Sequence, residues 1–400
     1  MHVWTGGNGL KILVYKWKAY NYMDILEAFL NLGYEYITVE QDLDCYDEDP
    51  TFEAKLAKLV MKNACDMIFT VNYFALITTV CTRLKIPYVV WTCDSPLISM
   101  YHQNVFLPCN YFFTFDQTNY LEFKGMGVEH IWYLPLGVNT KRLDYLLDHC
   151  GDLAAYENEI SFVGSLYERN SYDSLRPRLP GYLQGYFDAA IWAQQCVNGG
   201  NILEEMLTVD VLEQLQQHFK LEKSKGSFSD LGLIFSTTVL GFKTAAEQRQ
   251  RALIELSKQY PVTIYSNSNT SSLLRVRYGG SLDYWSEMPK VFRASKINLN
   301  FTIPNIKSGL PLRIWDVLGC GGFLLTNFQA EIPSYFKHKE DLVCFESIEE
   351  LVELAGYYLK HEEERRRIAE NGYRKVCSFH TCEQRVGKMM GIVERILADI

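Results

Sequence analysis

Ser308-Gly309-Leu310-Pro311-Leu312-Arg313-Ile314-Trp315-Asp316-Val317-Leu318-Gly319-Cys320-Gly321-Gly322-Phe323-Leu324-Leu325-Thr326 reads as a loop, a short helix and a strand in succession. Gly309 allows close backbone approach, and Pro311 suits the first turn of a helix, whose free N–H groups favour a phosphate. Gly319, Gly321 and Gly322 stop that helix before the apolar run that follows. Arg313 and Asp316 stand three apart and share one helix face, where a cation for a diphosphate and a carboxylate for a ribose diol would meet one ligand. An ordinary surface ion pair beside a helix C-cap fits these residues equally well.

Outward from that stretch, short apolar runs alternate with helical periodicity along the chain. Towards the N-terminus the strand candidates are Lys11–Lys16, Tyr36–Glu40, Asp66–Val71, Tyr88–Thr92, Tyr111–Phe115 and His130–Leu134, with helix patterns at Tyr22–Leu32 and Phe52–Asn63. A second series runs through Ile160–Gly164, Val262–Tyr265, Leu274–Tyr278, Ile297–Phe301, Gly322–Thr326 and Leu342–Phe345. Near-continuous apolar strands separated by helices imply parallel sheets covered on both faces. The expected fold is therefore α/β: two Rossmann-like, doubly wound domains, with a cleft where the carboxyl ends of their strands face one another. The expected divisions are residues 1–155, residues 156–378, and a C-terminal helix within 379–400 packing back on the first domain. Residues 171–229 break the rhythm with a helical stretch, Ile202–Phe219 included. This insertion reads as a packed cap, or as a surface for an acceptor or a homodimer.

Composition narrows the function. The 400 residues carry 39 Lys and Arg against 48 Asp and Glu, a formal net charge of −9, without the basic excess that nucleic-acid binding draws on. The uncharged run Ser95–Phe115 holds His102, two asparagines and two prolines, which rules it out as a membrane helix. Met1–Lys18 has no basic segment ahead of a long apolar core, and 11 scattered cysteines read as reduced thiols, so a cytoplasmic protein is expected. Cys377, His380 and Cys382 lack the second pair that structural zinc requires. Gly6-Gly7-Asn8-Gly9 precedes a strand instead of joining strand to helix and so fails as a dinucleotide loop.

The pattern Ser-Gly-x-Pro-Leu-Arg-x-x-Asp, followed by Gly-x-Gly-Gly-Phe-Leu-Leu-Thr, resembles the nucleotide-sugar half of CgeB-like (spore maturation protein-like) glycosyltransferases. Trp91-Thr92-Cys93-Asp94-Ser95-Pro96 and Phe115-Asp116-Gln117 are similar to the domain that commonly precedes it. The resemblance implies a GT-B fold whose second domain holds the donor, and transfer of a sugar from a nucleoside diphosphate, UDP favoured, to a hydroxyl on a protein, glycan or small molecule. It implies no metal and no cofactor. Related retaining enzymes carry two glutamates eight residues apart, the later one on the ribose. Asp316 matches the later position, whereas Ser308 stands at the earlier one. A catalytically silent nucleotide-sugar-binding subunit and a sugar-nucleotide epimerase on the same fold are the alternatives.

Under this resemblance the donor site draws on Gly164, Ser165, Tyr167 and Arg169 for the pyrophosphate, and on Gly280, Leu282 and Tyr284 for the base. Asn300 would meet sugar hydroxyls, and Ser308, Gly309, Leu310, Pro311, Arg313 and Asp316 complete the site. Arg313 would also stabilise charge on the leaving diphosphate. An inverting transfer needs a general base, for which Asp94, just past an apolar strand, and the nearby His102 are the candidates. Arg169 reads equally as a solvated loop residue, and Asp94 and His102 as a capping aspartate and a buried histidine.

Overall fold

The computed structural model describes residues 9–398, so Gly6, Gly7 and Asn8 of the N-terminal glycine run lie outside the described residues. The chain divides into two compact units. The first comprises the described residues to Gly137 together with 222–229 and 380–398; the second comprises 138–221 and 230–379.

The first unit is built on a six-stranded sheet: β1 Lys11–Lys16, β2 Glu35–Glu40, β3 Met67–Val71, β4 Tyr88–Trp91, β5 Asn110–Thr114 and β6 Ile131–Tyr133. Its order is β2-β1-β3-β4-β5-β6, and every pairing is parallel. β3, β4 and β5 are buried at every residue, as strands covered on both faces must be. Apolar side chains dominate them because both faces are removed from water, and buried polar exceptions such as Thr70 and Asn110 are hydrogen-bonded. The helix Cys382–Ala398 lies against the helix Tyr22–Asn31 of this unit. Tyr34 Oη donates to Glu394 at 2.7 Å, and Arg385 donates to the Leu136 carbonyl.

The second unit holds β7 Asn158–Val163, β8 Val262–Tyr265, β9 Arg277–Tyr278, β10 Ser295–Asn300, β11 Leu324–Asn327 and β12 Val343–Phe345. The order is β12-β11-β10-β7-β8-β9, again all parallel. From β7 the chain builds outward through β8 and β9 on one side, then returns to build β10, β11 and β12 on the other. The reversal leaves a topological switch point between the carboxyl ends of β7 and β10, the place where open α/β sheets receive ligands.

Two sequence-based expectations shorten in the structure. The strand expected over Leu274–Tyr278 pairs only at Arg277–Tyr278, and Leu274 stands 92% exposed in a turn. The helix expected over Ile202–Phe219 runs only through Val209–Gln216, because the Thr208 hydroxyl accepts from the Val211 amide and caps it there. Residues before that cap are held as turns by Tyr186 Oη on the Met206 carbonyl and by Gln194 Oε1 on the Ile202 amide. The insertion has its own apolar core, in which Leu183, Phe187, Leu203 and Leu215 are buried together with Phe235 of the segment that follows.

Helix Leu231–Ile234 passes through a π-helical stretch, Phe235–Gly241, into the helix Phe242–Ser257. Asn305 donates from Nδ2 to the Thr237 carbonyl at 2.9 Å, and a Cβ on Gly241 would lie 2.4 Å from its Oδ1. A side chain bonded into the backbone ladder accompanies the widened turn.

Candidate functional site

The helix Leu312–Gly319 starts one residue later than Pro311 at a first-turn position would require, with Pro311 as its N-cap. It ends as a Schellman motif: Gly322 N bonds the Val317 carbonyl and Gly321 N the Leu318 carbonyl. Gly321 has φ +67°, the left-handed geometry such an ending needs. The helix therefore presents Arg313 and Asp316 at fixed positions. Arg313 Nη1 lies 3.8 Å from Asp316 Oδ2, donates to Met288 Sδ at 2.6 Å, and its guanidinium covers the Phe292 ring at 5.0 Å. A thioether is a weak acceptor, so this contact orients the fork without neutralising it. Asp316 is buried and accepts from Tyr284 Oη at 3.1 Å, which ties the loop after β9 to this helix.

That loop is anchored at β8. Ser266 N donates to the Gly280 carbonyl, Gly279 N to the Ile264 carbonyl, and Tyr278 Oη to the Ser266 carbonyl. Gly280 has φ +89°. After β7, Gly164 N bonds the Tyr265 carbonyl, Leu166 N the Ser268 hydroxyl, and Tyr167 N the Ser165 hydroxyl. Tyr167, in a left-handed conformation at φ +51°, stacks on Phe242 with ring centroids 5.1 Å apart.

At the switch point stands a residue outside the sequence-based set. Arg249, 9% exposed, donates from Nη1 to the Ser165 carbonyl at 2.7 Å and from Nη2 to the Phe301 carbonyl at 2.6 Å. It thus spans the carboxyl ends of β7 and β10. Its guanidinium packs over Tyr167 at 4.9 Å and Phe162 at 5.5 Å, and no carboxylate neutralises it through these contacts. Nε is buried without a hydrogen-bond partner. Burial pulls the Arg249 pKa down; the Tyr167 phenol opposes that shift and the Arg313 charge adds to it. Arginine remains charged under such pressure, and an anion placed between the two guanidinium groups would relieve it. The sequence carried a signal for this residue: Ala245, Arg249, Ala252, Leu253 and Leu256 are all buried on one face, so an arginine interrupts an apolar stripe.

The remaining candidates are placed as follows. Asn300 gives both amide hydrogens to hydroxyls, Thr302 in the loop after β10 at 3.0 Å and Thr326 of β11 at 2.9 Å, so its donors are not available to a sugar. Gly309 and Leu310 are buried beside Ser308 ahead of the helix. Ser308 Oγ and Glu331 Oε1 are 2.7 Å apart, with Glu331 3% exposed; a carboxylate that sequence reading missed stands one hydroxyl away from that position. Leu282 is half-buried and Arg169 exposed, its charge acting on the neighbouring Glu168 carboxylate.

In the first unit, Asp94 Oδ2 accepts from Asn72 Nδ2 at 2.6 Å, and Asn72 Oδ1 accepts from the Cys93 amide at 2.9 Å. Asp94 keeps an exposed edge, yet the protein packed round it pushes its carboxyl above the ordinary range, with Asn72 opposing in part. His102 does not fit the role of base. Its Nδ1 accepts from the Asn104 amide at 3.1 Å, which leaves the proton on Nε2 to donate to the Lys225 carbonyl at 3.1 Å. An imidazole held on both nitrogens pins residues 222–229 to the first unit and has none left to take a proton.

A raised carboxyl pKa makes the Asp94 charge a cost to the folded state once pH exceeds the ordinary carboxylate range. Stability linked to this group is fully present at acid pH and is lost as pH rises through the folded value. Asp94→Asn is therefore expected to melt higher than the parent at neutral pH, with the gap closing in acid. Scanning calorimetry across that range checks it, and a gap that widens in acid contradicts it.

Comparison with known proteins bears on the later part of the second unit and on the C-terminal segment assigned to the first. Residues 248–391 match the profile of a family described as "Glycosyl transferase-like". A glycosyltransferase from Rickettsia africae aligns over 98% of this chain and 100% of its own at a TM-score of 0.55 and 10% identity. Sucrose-phosphate synthase from Thermosynechococcus elongatus aligns over 98% and 100% at 0.54 and 11%. The chain has the GT-B fold. Anabaena HepE in complex with UDP-glucose shares this GT-B architecture over 97% of this chain and 100% of its own, at a TM-score of 0.51 and 11% identity. No curated protein matches the sequence. Among the described residues no helix is long and apolar enough to cross a membrane.

Proposed function

We propose that this GT-B protein is a glycosyltransferase whose second unit binds a nucleoside-diphosphate sugar, UDP-linked in the first instance, and passes the sugar to an acceptor hydroxyl. The observation that carries this reading is Arg249: a buried guanidinium across the β7/β10 switch point, with an unsatisfied Nε, suits a diphosphate in charge and place. The family match over 248–391 and the UDP-glucose complex of the HepE protein support it. The reading assigns the diphosphate to Arg249 and Arg313, the ribose to Asp316, and the base to the loop Gly280–Tyr284; the amides of Gly164, Leu166 and Tyr167 are already spent on oxygens of the protein. Asp94 is the acceptor base. Membership of the CgeB-like group and a cytoplasmic location belong to the same proposal.

In this mechanism the glycosidic bond breaks as negative charge grows on the diphosphate. Two fixed guanidinium groups meet that charge without reorganising, the electrostatic effect that usually dominates such chemistry. No metal is required for it, so saturating EDTA is expected to leave turnover unchanged. Complete loss, restored by manganese or magnesium, would contradict the mechanism. The decisive assay is transfer of radiolabelled sugar from a UDP-sugar to an acceptor mixture. Binding without transfer would mark a silent subunit, and release of nucleotide without any acceptor would mark an epimerase.

Asp316→Ala is expected to weaken UDP binding by about 1.5–3 kcal/mol, the scale of hydrogen bonds to a charged group. Calorimetric titration reads it directly. Unchanged affinity in a folded variant removes Asp316 from the site.

A further inference from the structure

A cavity of about 690 Å³ opens at the amino-terminal ends of the second unit's strands, beside Asn158, Val262 and Ser295, at the opposite pole of the sheet from Arg249. Its volume lies in the range of small-molecule sites. Six cations line it, Arg275, Arg277, Arg293, Lys296, Arg365 and Arg366, against the carboxylates Glu157, Glu159 and Glu362. The excess is positive in a chain whose net charge is −9.

Pairing inside the cavity consumes only part of the charge. Lys296 bonds Glu159 at 2.6 Å, and Arg366 bonds Glu362. Arg277 is oriented by neutral oxygens instead: Nε donates to Thr263 Oγ1 at 3.2 Å and Nη2 to Asn158 Oδ1 at 2.8 Å. Arg365, 6% exposed, donates to the Tyr358 carbonyl at 2.7 Å, and burial pulls its pKa down with Glu362 partly opposing. A cation buried without a carboxylate bonded to it is costly, and an anion in the cavity offsets that cost.

We infer that this cavity is a second binding site, for a small phosphorylated polyol. Guanidinium forks match phosphate oxygens bidentately, which favours phosphate over a single carboxylate. Glu157 and the oxygens of Thr263 and Asn158 supply the acceptors that hydroxyl groups need. The inference stands on this pole alone and is independent of the donor reading.

The test is calorimetric titration of the full chain with ribose 5-phosphate and with inorganic phosphate. The parent, Arg275→Ala/Arg293→Ala and Asp316→Ala are compared, each first shown to be folded by its melt. Both arginines are exposed, so the double variant removes charge without opening the core. Saturable ribose 5-phosphate binding is expected, tighter than inorganic phosphate, weakened at least about tenfold by the double variant and unchanged by Asp316→Ala; tenfold corresponds to about 1.4 kcal/mol. Three results overturn it: no saturation by either probe, affinity untouched by the double variant, or loss through Asp316→Ala. Equal affinity for the two probes overturns the polyol assignment.

Discussion

Arg249→Lys is expected to lower kcat by about 10²–10³-fold, the scale for removing one preorganised electrostatic partner from a developing anion. Lysine retains the charge but not the fork. A single ammonium cannot hold both the Ser165 and Phe301 carbonyls and still present a donor where Nε stands. The variant should also lose folding stability, about 1–3 kcal/mol for the carbonyl left without a donor, so assays belong well below its melting temperature. The two readouts separate the roles. A purely structural Arg249 would lower the melting temperature and leave kcat and UDP affinity alone, whereas the proposed role moves all three.

Arg313→Ala should cost a comparable 10²–10³-fold, about the same loss of transition-state stabilisation, with a smaller effect on folding because its partners are a thioether, a ring face and a distant carboxylate. Charge on the diphosphate grows as the sugar departs, so the guanidinium should matter more in the transition state than in the ground state. Lysine at 313 should recover only part of the rate. Single-turnover kinetics distinguish this from docking: if alanine raises KM while kcat persists, Arg313 binds the donor and Arg249 carries the leaving-group charge alone.

Much of this architecture is legible in the sequence because parallel strands buried on both faces are written as apolar runs. β3, β4 and β5 of the first unit and β8 of the second have no exposed residue, and each is found where the apolar pattern places it. Pattern alone fails where a single polar group decides. Thr208 halves a helix that the Leu and Glu periodicity extends back to Ile202, and the exposed Leu274 imitates a strand residue in a turn. The site divides in the same way. Arg313 and Asp316 were visible because helix geometry fixes their shared face from spacing.

His102 and Asn300 looked like free polar groups because only one partner of each, Asn104 and Thr302, is near in the chain; the other, Lys225 and Thr326, is supplied by tertiary packing. Arg249 was hidden for the opposite reason. Its neighbours Gln248, Gln250 and Arg251 make the segment look like a solvated helix face, and only the stripe of Ala245, Ala252 and Leu256 betrays that Arg249 points inward. Glu331 is close to Ser308 only through the fold, since 23 residues separate them.

The crystal structure of the chain with UDP tests the central claim most directly. The account predicts a phosphate oxygen about 2.7–2.9 Å from Arg249 Nε, the length of a charge-assisted hydrogen bond, with Arg313 on the same diphosphate and the ribose on Asp316. A diphosphate bound away from the ends of β7 and β10, with Nε still unpartnered, would contradict it.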